Sequence, residues 1–168
     1  MSRWLALAGY MGAGKSTVGR EVAGRLGRAF VDSDDAIEEA AGIGIPEIFS
    51  TKGELWFRRT EERVIRDILA DRPGVLALGG GAAESAKTRD LLSRSAQVAY
   101  LELPVGVAWE RIAGSDRPLA QDQRRFERRA AAREPNYRAA ADLVLDAARP
   151  VPQVVEELTA WVEAGTEA

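Results

Sequence analysis

Two residue types are missing from the 168-residue sequence, which contains no histidine and no cysteine. The lack of cysteine excludes disulfides, thiolate metal ligands and a cysteine nucleophile. The lack of histidine removes the usual general base and the commonest zinc ligand. Any acid–base chemistry in this protein must therefore use carboxylates, water or the substrate itself.

Long apolar runs are also missing. No run approaches the roughly 18 residues of a membrane-spanning helix, and a glycine-rich loop begins at residue 9, where a secretion signal would need its apolar stretch. We therefore expect a cytoplasmic protein without a membrane partner. The net charge of −3 gives no reason to expect nucleic acid, and the arginine pairs at 124–125 and 128–129 are typical of a solvated helix face.

The composition is otherwise that of a globular protein, with 46% hydrophobic and 29% charged residues. No linker, internal repeat or low-complexity segment divides the chain, so we predict one domain over residues 1–168. Short apolar strands alternate with amphipathic helices, which predicts an α/β protein whose parallel sheet is covered by helices on both faces.

The predicted elements follow from apolar periodicity and from glycine and proline stop signals. Strands are predicted at residues 4–8, 29–31, 75–78, 98–101 and 143–145, and the main helices at 18–26, 36–41, 54–70, 85–93, 105–112, 123–133 and 151–162. Ile45 begins a further helical turn. Residues 114–123 are polar and turn-like, and Glu134-Pro135 is predicted to interrupt the arginine-rich helix that begins at Gln123.

The segment from Gly9 to Thr17 fits the phosphate-loop pattern G-x-x-x-x-G-K-[ST], and it lies between a predicted strand and a predicted helix. In such a loop the backbone N–H groups and the helix N-terminus bind phosphate, Lys15 reaches the outer phosphates, and the Ser16 hydroxyl binds Mg²⁺. The alternative is a simple glycine-rich turn. The chain has only three lysines and 20 arginines, and one of the three lysines, Lys15, occupies the position that needs a compact charge. We therefore expect a nucleoside triphosphate and Mg²⁺ to bind here.

Asp32 and Asp34 follow the second predicted strand. Ligands of an open parallel sheet bind at the carboxyl ends of its strands, so both carboxylates are candidates for a site. The alternative is N-capping of the next helix, which aspartate favours. Beside a phosphate loop, Asp32 is the better candidate for ordering the water ligands of Mg²⁺, and Asp34 for holding a substrate hydroxyl.

The third predicted strand ends in three consecutive glycines, Gly79, Gly80 and Gly81. Three glycines at a strand end indicate a close approach by a ligand or a neighbouring chain rather than a plain loop.

Arg58 lies near the start of the longest predicted helix. It is either half of an i, i+4 ion pair with Glu62 or a bidentate clamp on a substrate carboxylate. Spacing alone does not decide between the two.

From end to end the chain resembles the shikimate kinases, which belong to the nucleoside-monophosphate-kinase-like P-loop group. The motifs that carry the resemblance occur in this order: Gly12-Ala13-Gly14-Lys15-Ser16-Thr17, Asp32-Ser33-Asp34, Ile48-Phe49, Gly53-Glu54, Phe57-Arg58 with Glu61, Gly79-Gly80-Gly81-Ala82, Arg117-Pro118-Leu119 and Arg133-Glu134-Pro135-Asn136-Tyr137. One departure is Ala120, where the family usually has a second leucine.

The resemblance implies a three-layer α/β/α fold with a five-stranded parallel sheet of order 2-3-1-4-5. It also implies a mobile lid at about residues 114–124 and a substrate-binding segment at about 34–60. The expected reaction is ATP- and Mg²⁺-dependent phosphorylation of the 3-hydroxyl of shikimate.

The resemblance also assigns roles to individual residues. The nucleotide-binding residues would be Gly12, Ala13, Gly14, Lys15, Ser16, Thr17, Arg111, Arg117 and Arg149. Of these, Arg111 and Arg149 would lie near adenine. The shikimate-binding residues would be Asp34, Arg58, Gly79, Gly80, Gly81 and Arg133. Arg58 and Arg133 would grip the shikimate carboxylate. Lys15, Asp34 and Arg117 would be catalytic, while Ser16 and Asp32 would hold the metal.

Three other functions are compatible with parts of the sequence. The first is another small-molecule kinase of the same group, such as a gluconate kinase, which two arginines poised for one carboxylate and the triple glycine disfavour. The second is a nucleotide-dependent switch, which would need the guanine-reading Asn-Lys-x-Asp; the only asparagine here, Asn136, precedes a tyrosine. The third is a relative that binds nucleotide without catalysis, although every expected catalytic residue is present. We expect a monomer whose partners are ATP and shikimate.

Overall fold

The computed structural model describes residues 3–113, 115 and 122–166. Its sheet has five strands: β1 (Trp4–Ala8), β2 (Phe30–Asp32), β3 (Val75–Ala77), β4 (Ala96–Glu102) and β5 (Leu143–Asp146). All pairings are parallel, and the spatial order is β2-β3-β1-β4-β5. This confirms the predicted sheet and its 2-3-1-4-5 order.

Eight α-helices connect and cover these strands within the described ranges: α1 (Lys15–Leu26), α2 (Ser33–Ala41), α3 (Ile45–Thr51), α4 (Glu54–Leu69), α5 (Ala86–Ser95), α6 (Val105–Ile112), α7 (Gln123–Ala140) and α8 (Val151–Thr166). A short 3₁₀ turn (Ala82–Glu84) follows the triple glycine. In the part of the chain that the structure describes, no helix is both long and apolar enough to cross a membrane.

Two apolar clusters lie on opposite faces of the sheet. Side chains of α1 and α8 pack on one face, around Val22 and Leu158. Side chains of α4, α5 and α7 pack on the other, around Ile65, Leu92 and Phe126. The central strand β1 is buried along its whole length, as a strand covered on both faces requires. The sheet is therefore the middle layer of an α/β/α arrangement.

A third, smaller cluster joins α2, α3 and α4 beyond the β2 edge of the sheet, around Ile37, Ile48 and Phe57. The cluster fixes the start of α4 beside the carboxyl ends of β2 and β3. The predicted substrate-binding segment, residues 34–60, is therefore built largely from these three helices.

Helix α7 corrects the prediction that Glu134-Pro135 interrupts it, since it continues from Gln123 to Ala140 with Pro135 inside. Proline removes one backbone hydrogen bond from a helix interior. Phe126, Arg133 and Tyr137 are buried on both sides of this position, so packing holds the two halves of the helix in one element. The side chain of Asp122 caps its N-terminus by accepting from Arg125 N at 3.0 Å.

Candidate active site

The phosphate loop joins β1 to α1 and depends on glycines in the left-handed region. Gly12 has φ of 88° and Gly14 has φ of 86°, values that side chains rarely adopt. Gly14 is also the N-cap of α1, with no side chain to satisfy the first N–H groups of the helix. The loop therefore leaves those groups to an outside anion, as phosphate binding requires.

Lys15 lies folded over the loop. Its Nζ donates to the carbonyl oxygens of Gly9 at 2.6 Å and Tyr10 at 3.2 Å. The ammonium group is therefore held at the mouth of the loop, at the carboxyl edge of the sheet. A phosphate oxygen bound there would be within reach of a single compact positive charge.

Ser16 and Asp32, the two predicted metal residues, are in direct contact. Ser16 Oγ donates to Asp32 Oδ2 at 2.8 Å. The other carboxylate oxygen, Oδ1, accepts from the backbone N–H of Asp34 at 2.9 Å and of Asp35 at 3.4 Å and so caps α2. The capping alternative is thus correct for Asp32, and one of its oxygens still faces Ser16.

These two residues fit Mg²⁺, because this ion prefers oxygen ligands and usually keeps several waters beside one or two protein groups. No group of three or more acidic side chains suited to a metal occurs among the described residues. Ser16 and Asp32 therefore form a sparse, all-oxygen set beside the phosphate loop.

Arg111 and Arg149, the two predicted adenine residues, differ in their contacts. Arg111, in the last turn of α6, donates to the carbonyl oxygens of Gly12 at 3.1 Å and Ala147 at 3.3 Å. Arg149 follows β5 and pairs with Glu157 at 2.7 Å. Arg111 thus contacts the loop, whereas the contacts of Arg149 are with Asp146 and Glu157.

The three glycines after β3 each lie against one predicted substrate residue. A Cβ atom on Gly79 would be 2.5 Å from Asp34 Oδ1, and one on Gly80 would be 3.1 Å from Arg133 Nη1. A Cβ atom on Gly81 would overlap the guanidinium group of Arg58, at 2.7 Å from Cζ. The backbone here must lack side chains so that these three functional groups can converge on it. The sequence predicted a close approach by a ligand or a neighbouring chain, and the structure shows three side chains of the same protein in this place.

Asp34 is the carboxylate that turns into the cleft. Burial raises the pKa of this carboxyl above its ordinary value, and the negative charge of Asp32 adds to the effect, while Lys15 opposes it. The group is consequently a stronger base than an exposed aspartate. Ser33 beside it is buried, and its Oγ accepts from Gly79 N at 2.8 Å, which ties β3 to the start of α2.

Arg58 pairs with a residue of its own helix, but this residue is not Glu62, which was one of the two alternatives left open by the sequence. It donates to Glu61 at 2.8 Å, whereas Glu62 accepts from Ser85 Oγ at 2.7 Å. The i, i+4 pair with Glu62 was therefore wrong. Burial raises the pKa of Glu61 despite the charge of Arg58, and the residue as a whole is only 3% exposed. Glu61 orients Arg58 so that the rest of its guanidinium group faces the cleft.

Arg133 enters the same place from α7 and is 7% exposed. Its Cζ lies 5.8 Å from the ring centroid of Tyr10, and its Nε has no hydrogen-bond partner in the described part of the chain. Tyr137, one turn further on, donates to the Gly80 carbonyl. A buried guanidinium group with an unused donor indicates an anion-binding position.

A cleft of about 730 Å³ connects these groups with the phosphate loop. The predicted site residues that line it are Gly12, Gly14, Lys15, Ser16, Thr17, Asp32, Asp34, Arg58, Gly79, Gly80, Gly81 and Arg133, and Arg125 and Arg129 of α7 line it as well. The volume is in the range of sites for small metabolites. Arg117 and most of the predicted lid, residues 114 and 116–121, lie outside the described residues.

Comparison with known proteins identifies the family. Residues 11–163 match the family model of shikimate kinase. The shikimate kinase of Halorhodospira halophila is 46% identical over 156 residues, which cover 87% of this chain and 88% of that protein. The shikimate kinase of Nitrobacter winogradskyi is also 46% identical, over 92% of this chain and 74% of that protein. The chain belongs to the shikimate kinase family.

Solved structures agree with this family membership. A shikimate kinase from Acinetobacter baumannii in complex with shikimate superposes with a TM-score of 0.92 at 34% identity, covering 98% of this chain and 95% of that one. A gluconokinase from Sinorhizobium meliloti reaches a TM-score of 0.68 at 20% identity. The second likeness shows a shared fold alone and gives the gluconate alternative no further support.

Within this shikimate kinase fold, sequence patterns give no role to Glu84 or Tyr10. Glu84 has one carboxylate oxygen 3.6 Å from Arg58 Nη2 and 3.4 Å from Arg133 Nε. Tyr10 donates to the Phe126 carbonyl at 3.0 Å and so links the phosphate loop to α7. The position of Glu84, three residues after a triple glycine, was the only available signal.

Proposed function

We propose that this member of the shikimate kinase family transfers the γ-phosphoryl group of ATP to the 3-hydroxyl of shikimate in a Mg²⁺-dependent reaction. As a shikimate kinase, the chain is a phosphotransferase that acts on a hydroxyl group of shikimate. The products are shikimate 3-phosphate and ADP, and the reaction belongs to aromatic amino acid biosynthesis. Residues 1–168 would act as one kinase domain.

The observation that carries the proposal is the convergence at the triple glycine. Asp34, Arg133 and Arg58 come from three different helices and meet Gly79, Gly80 and Gly81 in turn. Two guanidinium groups suit a carboxylate, and a carboxylate of raised pKa suits a hydroxyl group. This combination matches an acceptor that carries both an acid group and a hydroxyl group.

On the donor side, the backbone N–H groups of residues 12–17 would hold the phosphates of ATP, with Lys15 on the outer ones. Ser16 and Asp32 would hold Mg²⁺, which neutralises charge on the phosphate oxygens when bound. Arg117 would reach the transferred phosphoryl group from the lid. Arg111 and Arg149 would lie near adenine, with the contact between Arg111 and Gly12 supporting a place for Arg111 beside the loop.

Asp34 would orient the 3-hydroxyl of shikimate toward the γ-phosphorus and accept its proton as the new P–O bond forms. The bond to the leaving ADP oxygen breaks in the same transfer. Because phosphoryl transfer passes through a loose transition state, positioning and charge neutralisation provide most of the catalysis. The chemistry therefore needs no histidine. Closure of the lid would exclude water and suppress ATP hydrolysis.

We propose that the enzyme acts as a monomer with only ATP and shikimate as partners. We place the enzyme in the cytoplasm, where its donor ATP is available.

The position of the phosphoryl group on the product tests the assignment of Asp34 as the group that selects the hydroxyl. The enzyme would be incubated with ATP, Mg²⁺ and shikimate, and the product analysed by ³¹P–¹H correlation NMR. A coupling from phosphorus to the proton on C3 is the expected result. A phosphate on another hydroxyl group would contradict the proposed orientation.

A further inference from the structure

Glu84 places a carboxylate between the two arginines of the acceptor site. Its Oε2 atom lies 3.6 Å from Nη2 of Arg58 and 3.4 Å from Nε of Arg133. The two arginines belong to α4 and α7, so this single oxygen bridges elements that are distant in the sequence. An acceptor carboxylate that reached these same two nitrogen atoms would have to take the place of this oxygen.

The two contacts are ion pairs without hydrogen bonds. Arg58 directs its hydrogen bond to Glu61 at 2.8 Å, and Nε of Arg133 makes none with any described residue. Glu84 therefore balances charge in the site without using the directional donors of Arg133. Those donors stay available for a carboxylate with better geometry.

The backbone and the side chain of Glu84 differ in how firmly they are held. Nη1 of Arg89 donates to the carbonyl oxygens of Ala83 at 2.7 Å and Glu84 at 3.0 Å, which fixes the 3₁₀ turn. The Glu84 side chain is 36% exposed and accepts no hydrogen bond from any described residue. The carboxylate can therefore turn toward solvent while the turn itself stays in place.

We propose that Glu84 is a specificity-determining residue that occupies the acceptor-carboxylate position until the acceptor displaces it. This inference rests on the proposed function, because it assumes that Arg58 and Arg133 receive the acceptor carboxylate. Two carboxylates at this position repel each other, so binding requires Glu84 to leave. Glu84 thereby weakens acceptor binding without touching the reacting groups.

The test is the Glu84→Gln variant, which keeps the size of the side chain and removes its charge. We expect the KM for shikimate to fall by roughly 3- to 10-fold, because the acceptor no longer has to break the two partly exposed ion pairs that hold Glu84 in place. The kcat and the KM for ATP should stay within about twofold. The matched control is Glu156→Gln, which removes an exposed carboxylate from α8, the helix that packs on the opposite face of the sheet, and should change none of these constants.

A second measurement isolates the carboxylate position itself. Cyclohexanecarboxylate should inhibit the Glu84→Gln enzyme at a lower concentration than the wild type, whereas the neutral cyclohexanecarboxamide should act equally on both. In an Arg58→Ala background, Glu84→Gln should lower the inhibitory concentration of cyclohexanecarboxylate by a smaller factor, because both residues act on one position.

Two results would overturn the inference while leaving the proposed function standing. One is a shikimate KM that is unchanged or raised in Glu84→Gln when Arg58→Ala raises it in the wild-type background. The other is a Glu84→Gln enzyme in which inhibition by cyclohexanecarboxylate and inhibition by cyclohexanecarboxamide improve by the same factor. A wild-type enzyme that shows no shikimate-dependent turnover would instead refute the proposed function itself.

Discussion

Gly81 leaves no room for a side chain beside Arg58: a Cβ atom at this position would lie 2.7 Å from Cζ of the guanidinium group. The φ of Gly81 is −102°, which any residue can adopt. The glycine is therefore required by the arginine that crosses it and not by the backbone conformation. This relationship ties the triple glycine to the acceptor side of the site.

The first prediction concerns Gly81→Ala. The new methyl group should displace the end of the Arg58 side chain, so we expect the KM for shikimate to rise by roughly tenfold, which is about 1.4 kcal/mol of binding. The KM for ATP should stay unchanged. Steady-state kinetics with each substrate varied in turn would measure both constants.

Gly24→Ala is the control for this variant, because a Cβ atom there meets nothing within 4 Å. Gly24 lies in α1, where alanine should stabilise the helix by about 0.5–1 kcal/mol. Its kinetics should equal those of the wild type. A Gly81→Ala enzyme with unaltered shikimate KM would show that Arg58 does not need this approach.

Arg58→Ala is the second prediction. A charge-assisted hydrogen bond contributes about 1.5–3 kcal/mol, so the KM for shikimate should rise by roughly 10- to 100-fold, with ATP binding unaffected. The variant also leaves the buried carboxylate of Glu61 without its partner, so its thermal stability should fall as well.

Arg59→Ala provides the matched control, since Arg59 is the next residue on α4 and is exposed. Isothermal titration with shikimate and with an ATP analogue would separate the two sites. If Arg58→Ala weakened ATP binding and spared shikimate binding, the carboxylate clamp would be assigned to the wrong residue.

The third prediction is that Asp34→Asn binds ATP normally but loses turnover by roughly 10²-fold or more, the contribution of a positioned proton acceptor. Asp35→Asn, which changes the neighbouring exposed carboxyl, should keep most of the activity. Single-turnover measurements at saturating shikimate would compare the two. Nearly unchanged turnover in Asp34→Asn would remove this residue from the catalytic role.

Asp34 also gives a prediction for stability, because its pKa is raised by burial and by the charge of Asp32. The folded protein binds the Asp34 proton more tightly than the unfolded chain does. The resulting stabilisation is present below the ordinary carboxyl pKa and is lost as the pH rises through the raised value. Asp34→Asn should therefore be more stable than the wild type at pH 8, with a smaller advantage at pH 4.

Urea unfolding of both proteins across this pH range would measure the difference in the free energy of unfolding. If the stability advantage of Asp34→Asn over the wild type grew toward acid pH, the pKa of Asp34 would be lowered in the folded protein.

Much of the fold could be predicted because its signals are local. The apolar runs at Trp4–Ala8 and Val75–Ala77, the helical period from Glu54 to Leu69, and the glycines around Lys15 each act over a few residues. Their alternation then allows few arrangements other than a parallel sheet. The continuity of α7 through Pro135 was not predictable in this way, because long-range packing of Phe126 and Tyr137 overrides the local effect of proline.

The candidate site likewise contains some residues that local motifs reveal and others that only long-range packing places. Asp34, Arg58 and the triple glycine were identifiable as motifs, and the structure brings all of them to one cleft. The choice between Glu61 and Glu62 as the partner of Arg58 depends on which face of α4 is buried at that turn, and both spacings suit a helix. Glu84 could not be assigned a role, because its two arginine partners are distant in the sequence and its place three residues after the triple glycine is its only local signal.

The most direct test of the account is the release of ADP by the purified wild-type protein with ATP and Mg²⁺, measured with and without shikimate and again with gluconate in its place. We predict rapid release that depends on shikimate and that gluconate does not restore. Equal release without shikimate, or release restored by gluconate, would contradict the assignment of Asp34, Arg58 and Arg133 as the acceptor site.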